Sequence, residues 1–159
     1  MRTQRAGAFA PVRVRMQERD AWPEFAELWE RLRRDWLAPG TVILVEGEKD
    51  RRSVRSLGVT APIQVVHEGE SLASLAGALA ERAERVVVLT DWDGAGGQLA
   101  RRLRELLSDG RLAVDLESRR RLAHALRGEL VHVEGLRRWV EHRLQSRSDS
   151  LDEWLSRTA

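Results

Sequence analysis

The chain contains no cysteine, no tyrosine and a single lysine, Lys49. Without cysteine there are no disulfides, thiolate nucleophiles or zinc–thiolate sites. Without tyrosine this chain, acting alone, cannot form a tyrosyl covalent intermediate. No apolar run approaches the roughly 20 residues that a membrane-spanning helix needs. The opening residues Met1-Arg2-Thr3-Gln4-Arg5 are basic and no apolar signal core follows them. The expectation is therefore a cytoplasmic protein without a membrane partner. There is no Gly-Lys-Ser/Thr phosphate loop and no His-Glu-x-x-His pair. There is also little excess of either charge, since 27 Lys+Arg against 25 Asp+Glu leave a net charge of only +2.

What is present describes a folded domain. Hydrophobic residues make up 42% and charged residues 33% of 159 positions, enough apolar content for one core with extensions. The alternation of apolar runs divides the chain into three stretches: a basic arm and Trp-rich helix over 1–38, an α/β domain over 39–145, and a polar tail over 146–159. In the first stretch Pro23 suits a first helical turn. Phe25, Leu28, Trp29, Leu32 and Trp36 then recur at helical spacing. This stripe, with Trp22, either packs on the parent domain or meets a second copy or a protein partner; both readings stand at this stage. Val12 and Val14 suggest an edge strand in the arm.

From Thr41 an α/β rhythm begins. Apolar, β-branched runs at 41–46, 63–66 and 85–90 read as strands buried on both faces. Helices are expected over about 48–57, 71–83, 97–107 and 116–126, with Gly58 and Gly110 as terminators and Ser71 as a cap. Glu129 to Val133 is the candidate fourth strand. Leu136, Trp139, Val140 and Leu144 make a last amphipathic helix, and the tail has room for one turn around Leu151 to Leu155.

Acids end two of these strands. Val42-Ile43-Leu44-Val45 runs into Glu46-Gly47-Glu48-Lys49-Asp50, and Val86-Val87-Val88-Leu89-Thr90 runs into Asp91-Trp92-Asp93-Gly94-Ala95-Gly96-Gly97. Asp91 and Asp93, two apart in extended backbone, project the same way. An α/β sheet places its site at the carboxyl ends of its strands. Three acids there need a compensating cation, and all-oxygen ligands favour Mg2+ or Mn2+. Asp91, Asp93 and Glu46 are thus the candidate metal ligands. If they share an ion, the first and third strands are neighbours and the sheet order is 2-1-3-4. Glu46 can also work as a general acid or base. A purely structural account, with one Asp as a helix cap and Glu46 salt-bridged to Lys49, Arg51 or Arg52, competes with this. Asp91 as a phosphatase nucleophile of the haloacid-dehalogenase type is excluded, because the lysine such enzymes need downstream does not exist. His132 and His142 are lesser candidates, as ligands or proton shuttles.

Around the acids, Gly47, Gly94, Gly96 and Gly97 can let a phosphate approach a helix N-terminus, and Lys49 and Arg52 can bind one. Residues 1–17 carry Arg2, Arg5, Arg13 and Arg15 and no acid, and Arg119-Arg120-Arg121 form a run. Arg13, Arg15, Arg119, Arg120 and Arg121 are therefore candidate contacts to a nucleic-acid backbone, with a solvated arginine-rich surface as the alternative.

Val45-Glu46-Gly47 after one strand and Asp91-Trp92-Asp93 after the third, with Gly96 following, resemble the Toprim domain. That domain is shared by topoisomerases, bacterial primases and several nucleases. The resemblance covers about residues 41 to 134. Val45-Glu46-Gly47-Glu48-Lys49-Asp50, Leu57-Gly58-Val59 and Leu89-Thr90-Asp91-Trp92-Asp93 look most like the small stand-alone Toprim proteins of archaea. The resemblance implies a Rossmann-like α/β fold, a Mg2+ site and phosphodiester chemistry, with Glu46 and Lys49 as catalytic candidates. It implies either a nuclease or a non-catalytic, metal-dependent module that binds RNA or a nucleotide. The chain is too short for a nucleotide-polymerising apparatus.

Overall fold

The computed structural model describes residues 20–66, 69–108 and 111–159. The arm with Arg13, Arg15 and the suggested Val12–Val14 strand, and the helix terminator Gly110, lie outside them. The elements run α1 (Trp22–Asp35), β1 (Thr41–Val45), α2 (Glu48–Ser56), β2 (Ile63–Val65), α3 (Leu72–Arg82), β3 (Arg85–Val88), α4 (Gly94–Leu107), β4 (Ala113–Asp115), α5 (Glu117–Leu126), a 3-10 turn (Val133–Gly135), α6 (Leu136–Gln145) and α7 (Leu151–Thr158).

The four strands form one parallel sheet in the order β2-β1-β3-β4. That is the 2-1-3-4 order required for β1 and β3 to bring their acids together. Ile43 pairs with Ile63 on one side, and Val42 with Val86 on the other. Successive residues then alternate between two cores. Ile43, Val45, Val87 and Leu89 face a cluster built with α1, α2, α5, α6 and α7. Val42, Leu44, Val86 and Val88 face a smaller one built with α3 and α4. Burial on both faces is why β1 reads as an unbroken apolar run rather than an alternating one.

The fourth strand is a correction. It is Ala113–Asp115, paired with β3 through Val86–Val114 and Val87–Asp115, and not 129–133. Three residues with one exposed alanine carry almost no hydrophobic signal. The edge beyond β3 is thereby filled, and 129–133 runs beside the β3–α4 loop instead, where the Trp92 amide donates to Val131 O at 2.8 Å.

The aromatic stripe of α1 packs on the parent chain. Trp22, Trp29 and Trp36 are all buried in the larger core. Trp29 Nε1 donates to the Leu57 carbonyl at 3.0 Å, which satisfies the one polar atom of that side chain that burial would otherwise strand. The tail also orders: Ser150 and Glu153 form a reciprocal capping box, and α7 delivers Trp154 to within 5.4 Å of Trp22, ring centre to ring centre. Two smaller expectations hold. Pro23 sits in the first turn of α1, and Ser71 caps α3 by accepting from the Ser74 amide.

Candidate metal centre

The acids converge at the carboxyl edges of β1 and β3. Glu46, Asp50 and Asp91 each offer a carboxylate oxygen within 4.8 Å of the others, and Asp91, Asp93 and His132 offer a second group on the same terms. Asp91 belongs to both.

Each side chain is placed by local chemistry. Glu46 is the first residue past β1. Gly47 is the N-cap of α2, and its amide donates to Asp50 Oδ2 at 2.9 Å, which turns Asp50 back toward the strand end. Asp93 caps α4, accepting from the Gly96 amide at 2.7 Å, so the cap reading is right for this residue, and α4 begins at Gly94, three residues earlier than its apolar spacing suggests. Asp91 Oδ1 accepts the Val133 amide at 2.8 Å, and its Oδ2 lies 3.2 Å from His132 Nδ1. His132 Nδ1 is also 3.7 Å from Asp93.

Gly96 has a steric reason. A Cβ there would sit 2.0 Å from the Asp91 carbonyl oxygen, so only glycine lets the chain double back beneath the site. The Thr90 hydroxyl, fully buried, then donates to the Gly96 carbonyl at 2.7 Å. The amides of Gly47, Gly96 and Gly97 are all engaged within the chain, the last with the Asp93 carbonyl at 3.0 Å. Gly94 is exposed with open space around it.

Arg119 is not part of a uniform basic run. It reaches into the site from α5, where its Nε donates to the Thr90 carbonyl at 3.2 Å and its Nη2 donates to the Asp91 carbonyl. Trp92 answers by donating its indole N–H to the Arg119 carbonyl at 2.9 Å. This reciprocal clamp holds the Asp91-Trp92-Asp93 segment against α5. Arg120 and Arg121 lie outside it, both paired with Glu117 on the exposed face. Lys49 and Arg52 are exposed on α2 and line a groove toward α6 rather than the acidic cluster. His142 is exposed on α6, in neither acidic group.

The electrostatics agree with the geometry. Removal from water, then the charge of Asp91 and a proton shared with it, then Asp50 and Asp93, push the Glu46 carboxyl up to about 7. Burial raises Asp50, against the opposing pull of the Gly47 amide. The hydrogen bond to Asp91 raises His132, helped by the charges of Asp91 and Asp93. Four carboxylates and one imidazole thus gather with more negative charge than the site neutralises. That hard, oxygen-rich donor set fits Mg2+ or Mn2+. Asp50 is the one contributor that spacing did not single out, although it is the helix-capping acid three residues after Gly47.

Strand order, the Glu-Gly turn after β1 and the Asp-x-Asp turn after β3 define an α/β domain whose clustered acids could hold a metal ion. The Toprim domain model matches residues 41–123, and the chain belongs to the Toprim family. It is similar to a UPF0292 protein of Pyrococcus furiosus, 43% identical over 101 residues, covering 64% of this chain and 72% of that protein. A UPF0292 protein of Thermococcus gammatolerans is 36% identical over 115 residues, covering 72% of this chain and 82% of that protein. Among solved structures, a protein from Aquifex aeolicus shares the fold, with a TM-score of 0.54 at 24% identity over 73% of this chain and 97% of that one. No helix among the described residues is long and apolar enough to cross a membrane.

Proposed function

We propose that this protein is a Mg2+-dependent enzyme that cleaves phosphodiester bonds of nucleic acid. The observation that carries the reading is the position of Asp91, shared by two groups of potential ligands at the carboxyl edges of β1 and β3. Asp91 and Asp93, with Glu46 or Asp50 completing the set, would hold the cation. Bound there, it would polarise a phosphate oxygen and offset charge on the leaving oxygen.

The chain's own groups supply the rest. Where Asp50 completes the set, Glu46, whose carboxyl burial and neighbouring acids push up in the absence of metal, is left for general acid–base work. His132, exposed and beside Asp91 and Asp93, is a second group that can exchange a proton with solvent. Arg119 and Trp92 keep the Asp91–Asp93 segment in register, so that its ligands need little rearrangement.

A cleavage screen over structured RNA, single-stranded DNA and plasmid, with Mg2+ and with chelator, tests the proposal. Mg2+-dependent product that disappears in the Asp91→Asn/Asp93→Asn variant supports it. Metal-dependent binding without turnover on any substrate overturns it in favour of a non-catalytic RNA- or nucleotide-binding module.

A further inference from the structure

A groove of about 420 Å³ separates α2 from the start of α6. Lys49 and Arg52, one turn apart on α2, form one wall. Arg137 and Arg138, in the first turn of α6, form the other, and Glu134 is the one acid among the lining residues. The walls are pinned together, since the Arg137 amide donates to the buried Ser53 hydroxyl of α2 at 3.1 Å. Four cations therefore face one carboxylate across a space large enough for a phosphate and its sugar.

These cations are available. Arg52 pairs with Glu48 at 3.5 Å and Arg137 with Glu141 at 2.9 Å, but both arginines are more than half exposed. Such pairs are weak and exchange readily for a phosphate. Lys49 and Arg138 have no ion pair among the described residues.

The groove also adjoins the acidic crevice. Glu134 lines it, and the charge and backbone of Glu134 both act on the carboxyl of Asp50, a member of the Glu46–Asp50–Asp91 group. A strand with one phosphate near Asp91 would be repelled by the acids alone. A neighbouring phosphate among four cations offsets that repulsion and fixes the strand's position. Remote binding of this kind is how an enzyme orients a reacting bond.

We propose that the groove between α2 and α6 binds a phosphate of a nucleic-acid strand, next to the phosphate that lies at the acidic crevice. The proposal rests on the reading that this protein acts on nucleic acid. Lys49 and Arg52 lie within the residues matched by the domain model and Arg137 and Arg138 beyond them, so only one wall of the groove belongs to the matched stretch.

The test is equilibrium binding of a short labelled single-stranded RNA, and of the DNA of the same sequence, to the full chain. It is run with Mg2+ and again in chelator, at several salt concentrations. Arg137→Gln/Arg138→Gln and, separately, Lys49→Gln/Arg52→Gln empty one wall each. Each pair is expected to lower affinity roughly tenfold and to flatten the slope of log K against log salt by about 0.7 for each phosphate that is no longer neutralised. Arg31→Gln/Arg34→Gln, on the outer face of α1, removes the same charge elsewhere and is expected to change neither. Circular dichroism checks each pair, and because the pairs sit on different helices, either folded pair decides the question. Unchanged affinity and slope in a folded groove variant overturn the proposal. So does an equal loss in the α1 variant, or no binding by the unmodified chain. Mg2+-dependent cleavage, scored separately, tests the crevice reading, so the groove can fail while that reading stands.

Discussion

The backbone amide of Val133 donates to Oδ1 of Asp91 at 2.8 Å. A residue beyond α5, outside the stretch matched by the domain model, thus holds the central acid of the site. His132, its neighbour, bonds the other oxygen of the same carboxylate. The segment 129–133, whose apolar residues suggest a further strand, instead closes the site over Asp91.

Replacing Asp91 and Asp93 together with Asn is expected to abolish Mg2+ binding in calorimetry while leaving the fold intact. The Asn side chains can still accept the Val133 and Gly96 amides, and like-charge repulsion is relieved. A large loss of melting temperature in metal-free buffer would mark both residues as structural.

His132→Ala is expected to weaken metal affinity by about tenfold, the lower end of what removal of a carboxylate's hydrogen-bond partner costs. Stability is expected to change little, because His132 is exposed. Unaltered affinity would place His132 outside the site's working parts.

Stability without metal is expected to fall as pH rises. Glu46 is raised from 4.5 to about 7 on folding, so its proton stabilises the folded state below about pH 4.5, and that contribution is lost as pH climbs to about 7. His132, also raised, acts in the same direction across higher pH. Mg2+ competes with these protons, so its affinity is expected to rise over this window. Melting curves at several pH values, with and without Mg2+, check both slopes. Glu46→Gln is expected to flatten the metal-free one.

Gly96→Ala is expected to destabilise the chain by about 1–3 kcal/mol, the usual cost of forcing extra volume into a packed site. It is also expected to impair metal binding, because the carbonyl it would strike belongs to Asp91. Gly94→Ala meets nothing and is expected to be tolerated. Urea titration of the two variants separates a steric glycine from one merely near a turn.

Trp154→Ala is expected to cost about 3–5 kcal/mol, as large aromatic truncations in cores do, while metal affinity stays unchanged. A loss of metal affinity in a folded variant would show that α7 supports the site.

Much of this is legible in the residues themselves. Runs such as Val42–Val45 and Val86–Leu89 announce strands buried on both faces, because no alternating pattern survives there. Acids after two such runs dictate which strands are adjacent, since carboxylates can share an ion only if their strands are neighbours. The apolar stripe of α1 marks a core-facing helix, but periodicity does not say whose core. Burial of Trp22, Trp29 and Trp36 in the same chain answers that. β4 escapes a reading of the sequence because three residues with weak hydrophobicity become a strand only when a neighbouring edge offers hydrogen bonds.

By itself the sequence determined local identity where the apolar pattern is strong: the buried strands β1 and β3, the amphipathic helices, and the residues that bring carboxylates to those strand ends. These follow from periodicity, capping and side-chain chemistry, all of which act over a few residues. Tertiary structure alone decided what meets across distance. It brought His132 and Val133 to Asp91 and turned Arg119 inward while Arg120 and Arg121 stayed on the surface. It also set Arg137 and Arg138 opposite Lys49 and Arg52. Adjacent arginines differ in role because a helix turns each one about 100° from the next, and only packing decides which direction faces the site.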